Sequence, residues 1–159
     1  MLQWLRDELQ SAAATSANFR VVSMHIPPWI EFWEWESWGD CDPDSTCDKA
    51  YPLYVRTYIL PILLGGGVDV VMSGHQHNYQ RGMYGGIVFI TSGGGGGELD
   101  LNRVEHHSIY TITHLTHHHM ILNVSSHTLS FAVLKLDGSV IDEFQVHQNE
   151  VAALDLKEV

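Results

Sequence analysis

The chain has 159 residues, which suits a single domain, 1–159, with a real hydrophobic core. Apolar residues make up 45%, as in an ordinary globular protein, and no apolar run reaches the roughly 18 residues that a membrane helix needs. A formal net charge of −11 argues against a nucleic-acid partner, because holding phosphates requires a cationic face.

Leu2, Leu5, Leu9 and Ala12 recur at helical spacing, so the pattern predicts an amphipathic helix from Leu2 to about Thr15. Arg6, Asp7 and Glu8 interrupt this start where a signal peptide would be apolar. Phe19-Arg20-Val21-Val22-Ser23-Met24 has the β-branched content of a buried strand. It runs into His25 and then Pro27-Pro28, which cannot continue a ladder. The segment from there to Lys49 holds Trp29, Trp33, Trp35 and Trp38, and a loop of that length tends to be functional. It is also acidic, with seven carboxylates from Glu31 to Asp48 and no Lys or Arg, the pattern of a solvated loop. Cys41 and Cys47 lie in it, either as two free thiols or as a short disulfide that points to a secreted or luminal location.

Tyr51 to about Leu64 is predicted helical, kinked or stopped at Pro61 and ended by Gly65-Gly66-Gly67. Val68 to Met72 and Ile87 to Ile90 are predicted buried strands, the second delivering the chain to Gly93–Gly97. Ser108 to Val124, His127 to Leu136 and Ser139 to Val146 read as further strands, the last two joined by an Asp137-Gly138 hairpin turn. Helix and strand alternation followed by a run of strands predicts an α/β sandwich with a mixed sheet.

The chemistry concentrates in Ser73-Gly74-His75-Gln76-His77-Asn78-Tyr79-Gln80-Arg81. Gly74 lets the backbone turn sharply after a buried strand, and His75 and His77 then present two imidazoles from one loop. Neutral imidazoles are good ligands for zinc, iron and similar ions, and two spaced by one residue can serve neighbouring metals. His25 also stands at the exit of a buried strand, where open α/β sheets place their binding groups.

Gly74-His75-Gln76-His77 resembles the Gly-His-X-His motif of calcineurin-like metallophosphoesterases, and Tyr79 and Arg81 resemble its purple acid phosphatase branch. Met24-His25-Ile26-Pro27-Pro28-Trp29 is similar to the preceding His-X-Pro motif, and Phe89-Ile90-Thr91-Ser92-Gly93-Gly94 to the glycine-rich strand exit after the histidines. The resemblance implies the C-terminal portion of a calcineurin-like phosphoesterase sandwich, mixed β-sheets flanked by helices. It implies hydrolysis of a phosphate ester at two divalent or trivalent ions (iron, zinc or manganese), with His25 and His75 on one metal and His77 on the other. The family's Asp-X-His and Gly-Asn-His-Asp/Glu motifs have no counterpart, and Asp69 and Asp40 lack the surroundings of the bridging aspartate. That aspartate and the general-acid histidine are therefore expected in a missing N-terminal half. A catalytically inactive metal-binding or interaction module of the same fold is the alternative. The loop after His25 lacks the phosphate-contacting histidines of the plant enzymes and reads Ile30-Glu31-Phe32-Trp33-Glu34-Trp35-Glu36.

Arg81 offers either a fork for a phosphate oxygen or a partner for a carboxylate. Strand alternation puts His117 and His119 on one face and His118 on the other with Met120 and Leu122, which favours structural roles over a metal cluster. His106 and His107 follow the glycine run and fall near the mouth of the expected site. Gly93–Gly97 lacks the Lys-Ser/Thr of a P-loop, so its expected role is close backbone approach to the site.

Overall fold

The computed structural model describes residues 1–33 and 50–148. Cys41 and Cys47, with the disulfide considered for them, lie outside the described residues, as do Trp35 and Trp38. The elements in order are α1 (Leu2–Leu9), α2 (Ala12–Ser16), β1 (Val21–Ser23), α3 (Ala50–Tyr54), a π-helical turn (Val55–Ile59) and α4 (Leu60–Gly65). β2 (Val70–Ser73), β3 (Tyr79–Tyr84), β4 (Ile87–Ser92), β5 (Tyr110–His114), β6 (His118–Val124), β7 (Thr128–Lys135) and β8 (Val140–His147) follow.

The predicted first helix is two helices. Ser11 leaves the helical conformation at ψ 155° and its hydroxyl accepts from Ala14 N at 3.1 Å, so a new N-cap interrupts the run. Pro61 neither stops nor ends the second helical segment. The chain widens into the π turn just before it, and Leu60 N donates to Val55 O, which accommodates a proline with no N–H of its own.

Five strands form a mixed sheet in the order β1-β2-β4-β3-β5, with β1, β2 and β4 parallel and β3 antiparallel to both neighbours. β6-β7-β8 form a separate antiparallel sheet. β2 and β4 are covered on both faces, which explains their nearly continuous apolar sequences, whereas β1, expected as a buried strand, lies at the sheet edge with Val21 and Ser23 exposed. Val71, Ile87 and Phe89 face Leu9, Val55, Ile59 and Leu63 on the helical side. Val70, Val88 and Ile90 face Leu129, Phe131, Val133 and Val146 of the second sheet. Adjacent residues on one strand thus serve two cores.

Two sequence expectations change here. β3 is a strand that the sequence pattern does not predict, because Tyr79-Gln80-Arg81-Gly82 carries polar residues unlike those of a buried strand. Its signal is Gly85-Gly86, both at positive φ (54° and 78°), a two-residue hairpin connection to β4. The single strand expected from Ser108 to Val124 is two strands in different sheets, β5 and β6. The crossover is fixed where His118 N donates to Gly94 O at 3.0 Å.

Candidate functional site

The parallel strands β1 and β2 are in register, Val22 beside Val71 and Ser23 beside Met72, so both exits fall at one sheet edge. Met24 N donates to Met72 O at 3.0 Å and Gly74 N to His25 O at 3.0 Å, continuing the pairing past the strands. This carries His25 and His75 to the same place. His25 Nε2 lies 3.3 Å from His75 Nδ1, with the rings edge to face at 5.1 Å between centroids. Two nitrogens sharing a tetrahedral ion at zinc–imidazole bond lengths would stand roughly 3.3 Å apart. The separation matches a direct ring-to-ring hydrogen bond as well as a shared cation. An open depression of about 550 Å³, lined by His25, Gly74, Ser73, Ser92, Met72 and Met120 among others, adjoins it.

His75 has φ 66°, a left-handed conformation that costs a residue with a β-carbon about 1–2 kcal/mol. Strain of this kind persists only where surrounding contacts impose it, and here they are explicit. Gln76 is wholly buried, its Oε1 accepting from Glu31 N at 2.8 Å and Phe32 N at 2.9 Å. The residue between the two histidines thus bolts their loop to the segment after His25.

His77 points elsewhere. Its Nδ1 lies 2.7 Å from Glu98 O, and because a carbonyl only accepts, Nδ1 carries the proton and Nε2 keeps its lone pair. Its backbone N donates to Asp100 Oδ2 at 2.7 Å. Gly97 packs on the ring so closely that a β-carbon would sit 2.7 Å from Cε1, and a β-carbon on Gly93 would collide with Gln76 O. The glycine run is thus a backbone surface pressed against the histidine loop. Among the described residues, no three His, Cys, Asp or Glu side chains gather closely enough to hold an ion. The structure brings His25 and His75 together and leaves His77 outside that pair.

The remaining candidates have other partners. Arg81 forks onto Asp142 of β8, with Nε–Oδ2 2.6 Å and Nη2–Oδ1 3.0 Å, and lies over the Phe144 ring at 4.2 Å. Tyr79 donates to the same carboxylate at 2.6 Å. Burial pushes the Asp142 carboxyl up, but the bonds from Arg81 and Tyr79 outweigh it and hold the group below its ordinary value. The guanidinium considered for phosphate thus has the carboxylate partner, tying the two sheets together. His118 is buried between Thr116 O, 2.9 Å from Nδ1, and Ser92 Oγ, 3.0 Å from Nε2. Burial pulls its pKa down, helped by the neighbouring His119, His114 and His117.

Sequence reasoning misses Glu31, which sits in what reads as a solvated acidic run. It is 1% exposed, pairs with Arg103 at 2.9 Å and accepts from His107 N at 2.6 Å. Trp33 reads in the sequence only as one aromatic among several, yet its ring packs against His75 at 4.2 Å between centroids, tilted by 40°. Asp100 is missed as well. Its sequence signal is slight, an acid three residues past the glycines.

No family model and no curated protein sequence matches this chain. Solved structures do. One is a purple acid phosphatase, PPD1, from yellow lupin (Lupinus luteus) seeds, with a TM-score of 0.71 at 17% identity over 95% of this chain and 29% of that one. The chain has a purple-acid-phosphatase-type fold. It is as similar to GAP50, described as the anchor in the inner membrane complex of Plasmodium, with a TM-score of 0.71 at 19% identity over 94% of this chain and 42% of that one. The chain spans less than half the length of either structure. Among the described residues no helix is long and apolar enough to cross a membrane.

Proposed function

We propose that this chain is the histidine-bearing part of a metal-dependent phosphoric ester hydrolase, using His25 and His75 on one ion and His77 toward a second. The observation that carries this reading is the pair of imidazoles 3.3 Å apart at the exits of two parallel strands, one on a left-handed residue. Iron, zinc or manganese held there would activate water and neutralise charge on the phosphoryl oxygens of a phosphate ester. The chain's own part is positional. Gln76 fixes the loop, the Glu98 carbonyl leaves His77 Nε2 as the free donor atom, and Trp33 shields one face of His75. The described residues fit one imidazole-bound cation. The bridging carboxylate of a dinuclear centre is not among them, so further chain, packed against the outer edge of β1, supplies it in this reading.

A second reading has a specific observation behind it. The described residues gather no three-ligand cluster, and GAP50, of the same fold, is described as an anchor. In this alternative the fold is a metal-binding or interaction module without turnover.

Calorimetry with zinc on the chain, His75→Ala and His118→Ala tests the metal reading. His75→Ala is expected to weaken binding at least ~10-fold and His118→Ala by much less, since losing a ligand outweighs losing a supporting residue. Equal losses would remove the metal assignment. The chain alone is expected to turn over an aryl phosphate negligibly. Turnover gained by extending the chain upstream separates the enzyme from the module.

A further inference from the structure

We propose that Asp100 is the positioning residue of this site, one carboxylate setting the placement of His75 and His77 together. A single oxygen, Oδ2, accepts from His77 N at 2.7 Å and from Trp33 Nε1 at 2.9 Å. The first bond is reciprocated, since Asp100 N donates to His77 O at 3.3 Å. With Glu98 O on the ring, segment 98–100 holds the backbone N–H, the carbonyl and the imidazole of His77. The second bond fixes the indole that packs, tilted, against His75. Charge-assisted acceptance of two N–H groups is stronger than neutral pairing, so the carboxylate matters beyond its shape.

The effect is separable from folding. Residues after Asp100 dock independently on Glu31, which accepts from Val104 N at 2.7 Å through its backbone and from His107 N at 2.6 Å through its side chain. Loss of Asp100 thus loosens the histidine loop and the indole while 103–107 stay in place.

The assignment rests on the metal reading of the histidines only in part, and ring resonances test it without metal. In Asp100→Ala, the imidazole nitrogen resonances of His75 and His77 are expected to move, while those of His127 and His147 on the far sheet stay fixed. Zinc affinity should fall ~10-fold, the usual effect of removing a residue that orients a ligand. Asp100→Asn, whose carbonyl oxygen still accepts but carries no charge, should restore both only in part. Unchanged His75 and His77 resonances in folded Asp100→Ala would overturn the proposal. If the unaltered chain binds no zinc, the metal reading falls and the resonances alone decide on Asp100. If Asp100→Ala does not fold, Trp33→Phe keeps an aromatic ring while removing the five-membered ring that carries the indole N–H. It should then shift His75 and spare His77, and an unmoved His75 would overturn the proposal equally.

Discussion

The two sheets divide the work of this fold. In the mixed sheet, β4 is buried along nearly its whole length and β2 at three of four positions. In the three-stranded sheet, β7 alternates, with Leu129, Phe131 and Val133 turned inward and their neighbours half-exposed. The first sheet has parallel strands whose ends coincide, and this is what delivers two histidines to one place. The second sheet contributes none of the paired imidazoles but reaches across to brace the two strands that follow them, β3 and β4. The Tyr79–Asp142–Arg81 contact and the His118–Ser92 contact are the two braces. The site is therefore made by one sheet and stabilised by the other.

Cutting the first brace gives the largest expected effect. Asp142 is nearly buried and satisfies three donor contacts, so Asp142→Ala strands a guanidinium and a phenol. A loss of about 2–3 kcal/mol in urea unfolding is expected, on the scale of hydrogen bonds to charged groups. Because the folded carboxyl lies below its unfolded value, this stability is present above about pH 4 and fades as pH falls through the folded pKa. A loss under 0.5 kcal/mol would mean that apolar contact alone holds the sheets.

How much of this division was legible in the sequence follows from the range of each contact. His25, His75 and His77 follow strand-like runs directly, so composition and order along a few residues located them. The two-faced burial of Val70-Val71 and Val88-Phe89 was likewise written in their unbroken apolar character. The supports were not. Glu31 meets His107 across 76 positions, Trp33 meets Asp100 across 67, and Arg81 meets Asp142 across 61. Nothing local distinguishes a carboxylate that will find such a partner from one that will stay in water. The acidic surroundings of Glu31 pointed the wrong way. β3 failed for a related reason: Gln80 is buried because Gln76 and Glu31 satisfy its amide, a pairing that exists only after folding.

The second brace is sensitive to pH in a direction that can be worked out. His118 donates through Nδ1 to a carbonyl and accepts at Nε2 from Ser92, so it is held neutral. Burial opposes its protonation first, and the neighbouring His119, His114 and His117 oppose it further. Its pKa is lower folded than unfolded, so the unfolded chain binds the extra proton first. Its contribution is complete above about pH 6.5 and is lost as pH falls from there toward the folded pKa. In urea unfolding, stability should drop more between pH 7 and 5 for the unaltered chain than for His118→Gln. Parallel pH profiles would show that this brace carries no proton linkage.

The smallest expected effect weighs backbone strain against side-chain contacts at His75. His75 holds φ 66°, where glycine has no steric penalty and histidine does. Gln76 imposes this geometry from a position that His75→Gly does not touch, so the loop should keep its path. The substitution removes the strain together with the Trp33 ring contact and both His25 contacts. Strain relief of about 1–2 kcal/mol is offset by these lost contacts, ~0.5–1 kcal/mol for each aromatic pair, so a net change within about 1 kcal/mol is expected. His25→Ala, at an exposed position without positive φ, should leave stability within about 0.5 kcal/mol. Zinc binding should fall in both variants. A gain in stability together with a loss of zinc binding would support the reading that His75 is strained for binding. A loss of stability in His75→Gly would instead make the left-handed turn an ordinary part of the scaffold, held by the histidine's own contacts.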